Sequence, residues 1–387
     1  MGTLSTVRGG FRAIVLAIAV CLSFAGACAA DSRKTLRLTF LGDLMAHPAL
    51  FAAADYRDIY SGVADVLAGS DFVFANLEFP VNSTRGVSGY PLFNAHLDYV
   101  SAAVEAGIDV FSAANNHAFD GGEEGVLQSV RALTLLADKS PGRLFFSGIR
   151  GNQRRPFMPE TLTVNGVRIG FIAVTQFLNQ PGGSRYVHVV DYDDPEEAAE
   201  FAALVKEVSP FFDLFIVSYH GDREYVQEPD PVKRTFFRTL VENGATIVFG
   251  HHPHVLQEYE LVTVRGSTRL IMYSMGNFIS GMAWRQSPPD PDGVGALISD
   301  SIMLRVDVAT GTGGASVVST EPIPIADYQN QKGELVVSKM DDLADGKAGV
   351  SPVWASYFLA RRARIWKLLG AAGKPLRSEV QTPGRPR

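Results

Sequence analysis

The sequence predicts an α/β fold built on a mixed sheet or a sandwich of two sheets, and three observations carry that reading. Short apolar runs rich in β-branched and aromatic residues alternate with stretches of helical apolar spacing. Asn-Gly in "TLTVNGVRIGFIAVTQ" marks a hairpin, so the sheet is not purely parallel. At 387 residues with 46% apolar content, the chain is long enough to fill a large core.

Taken in order, "TLRLTFLGD" opens the folded region as a strand, and "DFVFANLEF" and "GIDVFSAANNH" follow as two more. Between them "YVSAAVEAG", and after them "GVLQSVRALTLLAD", carry helical spacing. "DLFIVSYHGD" and "ATIVFGHHPH" are later buried strands, whereas "QEYELVTVRGSTRLIMYSMGNF" and "ISDSIMLRVDV" read as antiparallel. "QSPPDPDGVG" is a loop. No internal repeat is visible.

The ends differ from the middle. Residues 1–30 join two arginines to the apolar run "AIVLAIAVCLSFAGACAA", the build of a signal peptide or an N-terminal membrane anchor. The chain is therefore expected to be exported, periplasmic or extracellular, or held on the outer face of the membrane. Lipidation at Cys28 is the lesser alternative, because Ala25 stands where a lipoprotein box usually has leucine. Residues 35–325 form the expected catalytic-type domain and 326–387 a C-terminal extension. Its segment 353–369, "VWASYFLARRARIWKLL", reads as a basic amphipathic helix, and from Arg361 to Arg387 eight basic residues face one acid, Glu379. Membrane-surface contact is one role for it; docking on its own domain is the commoner one.

Both cysteines, Cys21 and Cys28, lie in the leader, so the folded region has no disulfide and any metal site must use nitrogen and oxygen. Net charge of −6 argues against a nucleic-acid partner.

One strand after another ends in a potential ligand: Asp43, then Asn76 and Glu78, then Asn116 and His117, then His220, then His251, His252 and His254. Strand carboxyl ends in α/β sheets share a rim, so residues scattered over the chain can converge. Carboxylate, carboxamide and imidazole together suit Mn, Zn or Fe. Six or more such donors exceed one tetrahedral ion and suit two divalent metal ions roughly 3.5–4 Å apart, which acidify water for attack on phosphorus or carbonyl centres.

The motifs "GDLM", "ANLE", "AANNHAFDGGEEG", "SYHGD", "GHHPHVLQ" and "YSMGNF" resemble, in order, the CapA/PgsA family of poly-γ-glutamate capsule proteins within the calcineurin-like metallophosphoesterase superfamily. That resemblance implies a calcineurin-like metallophosphatase-type sandwich of two mixed β-sheets flanked by helices. It implies that Asp43 and His254 hold one ion, Asn116, His220 and His252 the other, and Glu78 both. His117 would be the catalytic acid. Asn76, His251 and Asn277 would support the ligands without touching metal. The implied function is an exported metal-dependent hydrolase of phosphoester or amide bonds in capsule, poly-γ-glutamate or envelope-polymer metabolism, its substrate an envelope polymer or a small phosphoester. The alternative is a weakly catalytic or non-catalytic factor for assembly or export of poly-γ-glutamate or capsular polysaccharide. Two departures stand out: Met45 replaces the usual histidine of the Asp-x-His pair, and Glu78 replaces the bridging aspartate.

Plainer roles set the remaining expectations. Asn115 and Asp120 cap the helix beginning near Gly122. Pro253 holds His252 extended, so that His252 and His254 project together. His47 is a candidate substitute for the missing histidine, but a surface turn before Pro48 is its commoner role, and His96 and His188 are surface or packing residues. Arg85 is a candidate for facing an anionic substrate, although a solvated loop arginine is the commoner role.

Overall fold

The computed structural model describes residues 34–370; the leader with both cysteines and the basic tail after Gly370 lie outside the described residues. Fourteen strands among these residues form two mixed sheets. The larger contains β1 (Lys34–Leu44), β2 (Phe72–Leu77), β3 (Val110–Ser112), β4 (Phe145–Ser147), β11 (Asn277–Ile279), β12 (Asp300–Thr310), β13 (Ser316–Gln329) and β14 (Leu335–Lys339). Its order is β14-β13-β12-β1-β2-β3-β4, with β11 beside β1. The smaller runs β5-β6-β7-β8-β10-β9, from β5 (Glu160–Val164), β6 (Val167–Thr175), β7 (Leu214–His220), β8 (Ile247–His251), β9 (Tyr259–Val264) and β10 (Ser267–Met272).

Burial on both faces explains why the central strands are apolar throughout rather than alternating. Phe40, Phe74, Phe171 and Phe249, from four strands, meet between the sheets with ring centroids 4.9–6.4 Å apart. The intervening residues face helices. Val73 and Ala75 of β2 pack in the layer holding α1 (Leu97–Glu105) and α2 (Gly122–Lys139). Val217 and Tyr219 of β7 pack with α3 (Pro195–Val208) and α4 (Pro231–Glu242). The result is helix, sheet, sheet, helix, as the sequence pattern predicts.

The expected Asn-Gly turn occurs. Asn165 and Gly166 both take positive φ between β5 and β6, as do Arg265 and Gly266 between β9 and β10. α5 (Pro352–Leu369) lies against the domain, burying Tyr357, Phe358, Ile365 and Leu369. Its Arg361 is fully buried, and Arg361 Nε donates to Asp300 Oδ1 of β12 at 3.2 Å. None of the helices among the described residues is long and apolar enough to cross a membrane.

Candidate metal centre

Strands β1, β2 and β3 run parallel to one another, as do β6, β7 and β8, and the carboxyl ends of the two sets bring the polar residues together. Asp43 sits where the β1–β2 register shifts, and the bulge aims its carboxylate inward. Gly42 makes that turn possible: a Cβ there would lie 2.0 Å from Gly276 O, whose carbonyl accepts from Asp43 N at 3.0 Å.

Asp43, Asn76, Glu78, Asn116, His117, His220, His251, His252, His254 and Asn277 are all buried. Asn76 organises three of them: its Nδ2 lies 2.8 Å from Asp43 Oδ1, 3.1 Å from Glu78 Oε2 and 3.2 Å from His220 Nδ1. Three sets of ligand atoms fall within 4.8 Å of one another: Glu78, His220 and His252; Asp43, Glu78 and His254; and Glu224, His252 and His254. Asn116 joins the first set, with Oδ1 2.9 Å from His220 Nε2.

Glu78 is the member common to the first two sets. Its Oε1 has no hydrogen-bond partner and lies 3.7 Å from both His220 Nε2 and His254 Nε2. Burial, reinforced by the neighbouring Asp43 carboxylate, pushes its carboxyl well above the usual range. An unpartnered carboxylate oxygen between two imidazoles is what a shared cation would satisfy. The donor chemistry therefore fits divalent metal.

The surrounding charges agree with ligand duty. Burial opposes ionisation of Asp43, but His251 and His254 outweigh it and hold its carboxyl well below the usual range. Burial, with neighbouring histidines, pushes His220 well down and His252 to about 3, which leaves both rings neutral with lone pairs available. His254 is raised: burial lowers it, but the Asp43 carboxylate more than compensates. Its Nδ1 lies 2.9 Å from Asn277 Oδ1, so the carboxamide oxygen accepts and Nε2 is left to face Glu78. His251 Nδ1 is 3.0 Å from Asp43 Oδ1 without the alignment of a hydrogen bond. Its ring packs edge-on to Phe249 at 5.0 Å.

His117 stands beside this cluster with Nδ1 2.7 Å from Asp120 Oδ2. Asp120 also accepts from Phe93 N at 2.8 Å, and Phe93 meets the His117 ring edge-on at 4.6 Å. A carboxylate on Nδ1 fixes the tautomer and leaves Nε2 to exchange a proton. Asn179 Nδ2 lies 3.4 Å from both ring nitrogens.

Several local expectations are corrected. Asp120 and Asn115 do not cap α2, whose N-cap is Gly121 with no side-chain hydrogen bond. Asp120 turns to His117 instead, and Asn115 Nδ2 donates to Leu77 O at 2.8 Å. His252 is not extended: its φ is 95° and that of His254 is 55°, left-handed values held by burial and β8's abrupt end at His251. The expectation fails because Pro253 only biases its predecessor, and packing overrides the bias. His47 does precede a 3₁₀ turn at Pro48–Ala52, but its ring points inward, edge-on to Phe93 at 5.1 Å, with Nδ1 unpartnered. Burial pushes it down to about 4.

His188 stacks on Phe157 at 4.4 Å, and His96 Nε2 contacts Arg85 O at 2.6 Å, so both lie apart from the ligand sets. Arg85 is exposed, with Nη1 3.5 Å from where a Cβ on Gly121 would sit, near the His117 loop. Sequence reasoning missed Glu224, exposed on the open side of the cluster four residues past His220. It also missed Asp120's contact with His117, for which the His-x-x-Asp spacing was the available signal. A third omission is Lys233. It is fully buried with Nζ 3.3 Å from Asp222 Oδ2 beneath the His220 loop, and burial lowers it to about 8 despite that carboxylate.

A family model described as bacterial capsule synthesis protein PGA_cap matches residues 37–282, more than half of the chain. The capsule biosynthesis protein CapA of Bacillus anthracis is 28% identical over 274 residues. That match covers 66% of this chain and 62% of the relative, so the chain spans less than two thirds of that protein's length. The PGA biosynthesis protein CapA of Bacillus subtilis (strain 168) is 24% identical over 291 residues, 72% of this chain and 73% of that one. Among solved structures, a hypothetical protein from Thermus thermophilus shows 19% identity with a TM-score of 0.44, covering 75% of this chain and 98% of that one.

Proposed function

The chain belongs to the bacterial capsule synthesis family PGA_cap, and from that premise we propose that it is an exported, metal-dependent hydrolase of phosphoester or amide bonds in an envelope polymer. The observation that carries this reading is Glu78 Oε1, buried and unpartnered between two imidazoles, with the His117–Asp120 pair alongside. Asp43, Glu78 and His254 would hold one ion; Glu78, Asn116, His220 and His252 the other. When bound, such ions neutralise developing negative charge and acidify water.

The protein's own contribution is orientation and proton transfer. Asn76 fixes the carboxylates and the His220 ring in one geometry, and Asn277 selects the His254 tautomer. His117, with Nδ1 held by Asp120, delivers a proton from Nε2 to the leaving group and recovers it on turnover. Residues 1–30 would direct export or anchor the chain on the outer membrane face.

Metal analysis after mild chelation and reloading, together with hydrolysis of nitrophenyl phosphate by wild type, Asp43→Asn and His252→Ala, tests the proposal. Metal-dependent hydrolysis lost in both variants is expected. Absence of bound metal from carefully purified wild type would overturn the mechanism.

One observation favours the second reading, an assembly or export factor for capsular polymer. Met45, at the position of the missing histidine, is buried in the apolar layer beneath α1, so the Asp43 side has one ligand fewer than the family's superfamily pattern implies. Full restoration of capsule by Asp43→Asn in a deletion strain would decide for that reading.

A further inference from the structure

A second concavity lies where the hairpin joining β13 to β14 meets the first turns of α5, and none of the candidate metal ligands lines it. Its volume is about 260 Å³. Aromatic rings form one wall: Trp354 stacks on Phe358 at 5.8 Å and 27°, and Tyr328 meets Phe358 edge-on at 6.2 Å. Trp354 is partly buried: it packs against the core and meets Tyr357 edge-on at 5.3 Å, and its remaining surface lines the concavity.

Three carboxamides also line it, each with one amino N–H engaged. Gln286 Nε2 donates to Asp327 O at 2.7 Å, Gln329 Nε2 to Gly333 O at 2.9 Å and Gln331 Nε2 to Gly349 O at 2.6 Å. Each partner is a carbonyl oxygen, which only an N–H can face, so these orientations are fixed. The three amide oxygens make no hydrogen bond among the described residues, and the site therefore offers acceptors. None of its lining residues is charged, in a chain where one residue in five is.

We propose that this is a binding subsite for one uncharged saccharide ring of a neutral glycan. The C–H face of a pyranose matches a partly exposed aromatic ring, and its hydroxyls are donors for the amide oxygens. An anionic unit, such as a γ-linked glutamate or a phosphate, would meet oxygen acceptors with no cation to pair it. The size of the cavity suits a single ring rather than a longer segment. The subsite is independent of the metal reading, since no residue is shared.

Saturation-transfer difference NMR on the full chain tests the assignment, with methyl β-glucoside, N-acetylglucosamine and cellobiose as neutral probes and γ-glutamyl-glutamate as the charged one. Transfer to ring protons of at least one neutral probe is expected, weakened tenfold or more by Trp354→Ala and severalfold by Gln331→Met, but unchanged by Asp43→Asn. Gln331 is exposed, so its variant keeps the test decisive should Trp354→Ala not fold. Silence from every neutral probe overturns the proposal, as do signals indifferent to both pocket variants or pocket-dependent binding of γ-glutamyl-glutamate. Loss of binding in Asp43→Asn would overturn its independence from the metal centre.

Discussion

Replacing Glu78 by glutamine should move stability in opposite directions with and without metal. In chelated protein the wild-type carboxyl is fully buried, one oxygen is unpartnered, and both burial and Asp43 resist its ionisation. Its folded pKa is raised above the ordinary 4.5, so the native state binds the extra proton and stability falls as the pH rises above that value. Holding the carboxyl neutral at pH 7.5, about three units above 4.5, costs at most about 4 kcal/mol. Glutamine keeps an oxygen for Asn76 Nδ2, 3.1 Å away, and needs no proton. The expected gain is about 1–3 kcal/mol, the scale of relieving one buried unsatisfied polar group.

With metal the sign reverses. A ligand binding only the native state at a hundred times its dissociation constant contributes about 2.7 kcal/mol. The variant loses the carboxylate common to two ligand sets and should lose most of that increment. Calorimetric unfolding at pH 7.5, in chelator and then in excess Mn²⁺ or Zn²⁺, reads both effects. At about 2–4 °C per kcal/mol, a chelated variant several degrees above wild type and a metal-loaded variant below it are expected. A chelated variant less stable than wild type, or equal metal increments in the two proteins, would refute the assignment of Glu78.

Three further outcomes follow from other contacts. His117→Ala should lower kcat/KM for nitrophenyl phosphate by about 10²–10⁴-fold with metal content unchanged, and Asp120→Asn, which disturbs the Nδ1 partner, should lower it by a smaller factor and shift the pH profile. Loss of metal from either variant would place His117 among the ligands instead. Asp327 is fully buried with Oδ1 unpartnered, and burial raises its carboxyl to about 8, so native stability should fall as the pH climbs from about 4 towards 8. Asp327→Asn, which retains an acceptor for Ser280 N at 2.9 Å, should flatten that slope in denaturant titrations and gain about 1–3 kcal/mol at pH 8. Gly42→Ala should cost about 3 kcal/mol or abolish folding, because its Cβ would fall 2.0 Å from Gly276 O; a thermal midpoint within a degree of wild type would contradict the close approach.

The fold is legible because its strands are buried on both faces and each ends in a polar residue, a pattern that survives without knowledge of pairing. Strand identity, the Asn-Gly hairpin and the two helical layers follow from local composition. What local composition does not carry is the direction of a side chain where the backbone leaves its regular path. Helix starts favour aspartate, which points to Asp120 as a cap, but the tight turn from Asn115 to Gly121 swings it onto His117. A following proline points to an extended His252, but β8 ends one residue earlier and φ becomes positive. Lys233 and Asp222 are invisible as a pair, since eleven residues separate them and only tertiary packing buries them together.

The same geometry bears on what Met45 means. Under the proposed reading, its presence along the chain is the loss of a ligand. In three dimensions the Asp43 side of the cluster is held by Asp43, Glu78 and His254, while the other side has Glu78, Asn116, His220 and His252. Catalytic metal sites differ from structural ones in keeping a position that no protein atom fills. Glu224 and the exposed rings of Phe177, edge-on to His252 at 5.1 Å, and Tyr225, 6.2 Å from His254, border the open face of the cluster. Asp43 and Met45 are both buried, so the opening lies on the His252 and His254 side of the cluster and not beside Met45. If the cluster holds metal as proposed, fewer donors on the Asp43 side would both loosen one ion and leave it a position for a substrate oxygen, so metal content and turnover are to be measured together.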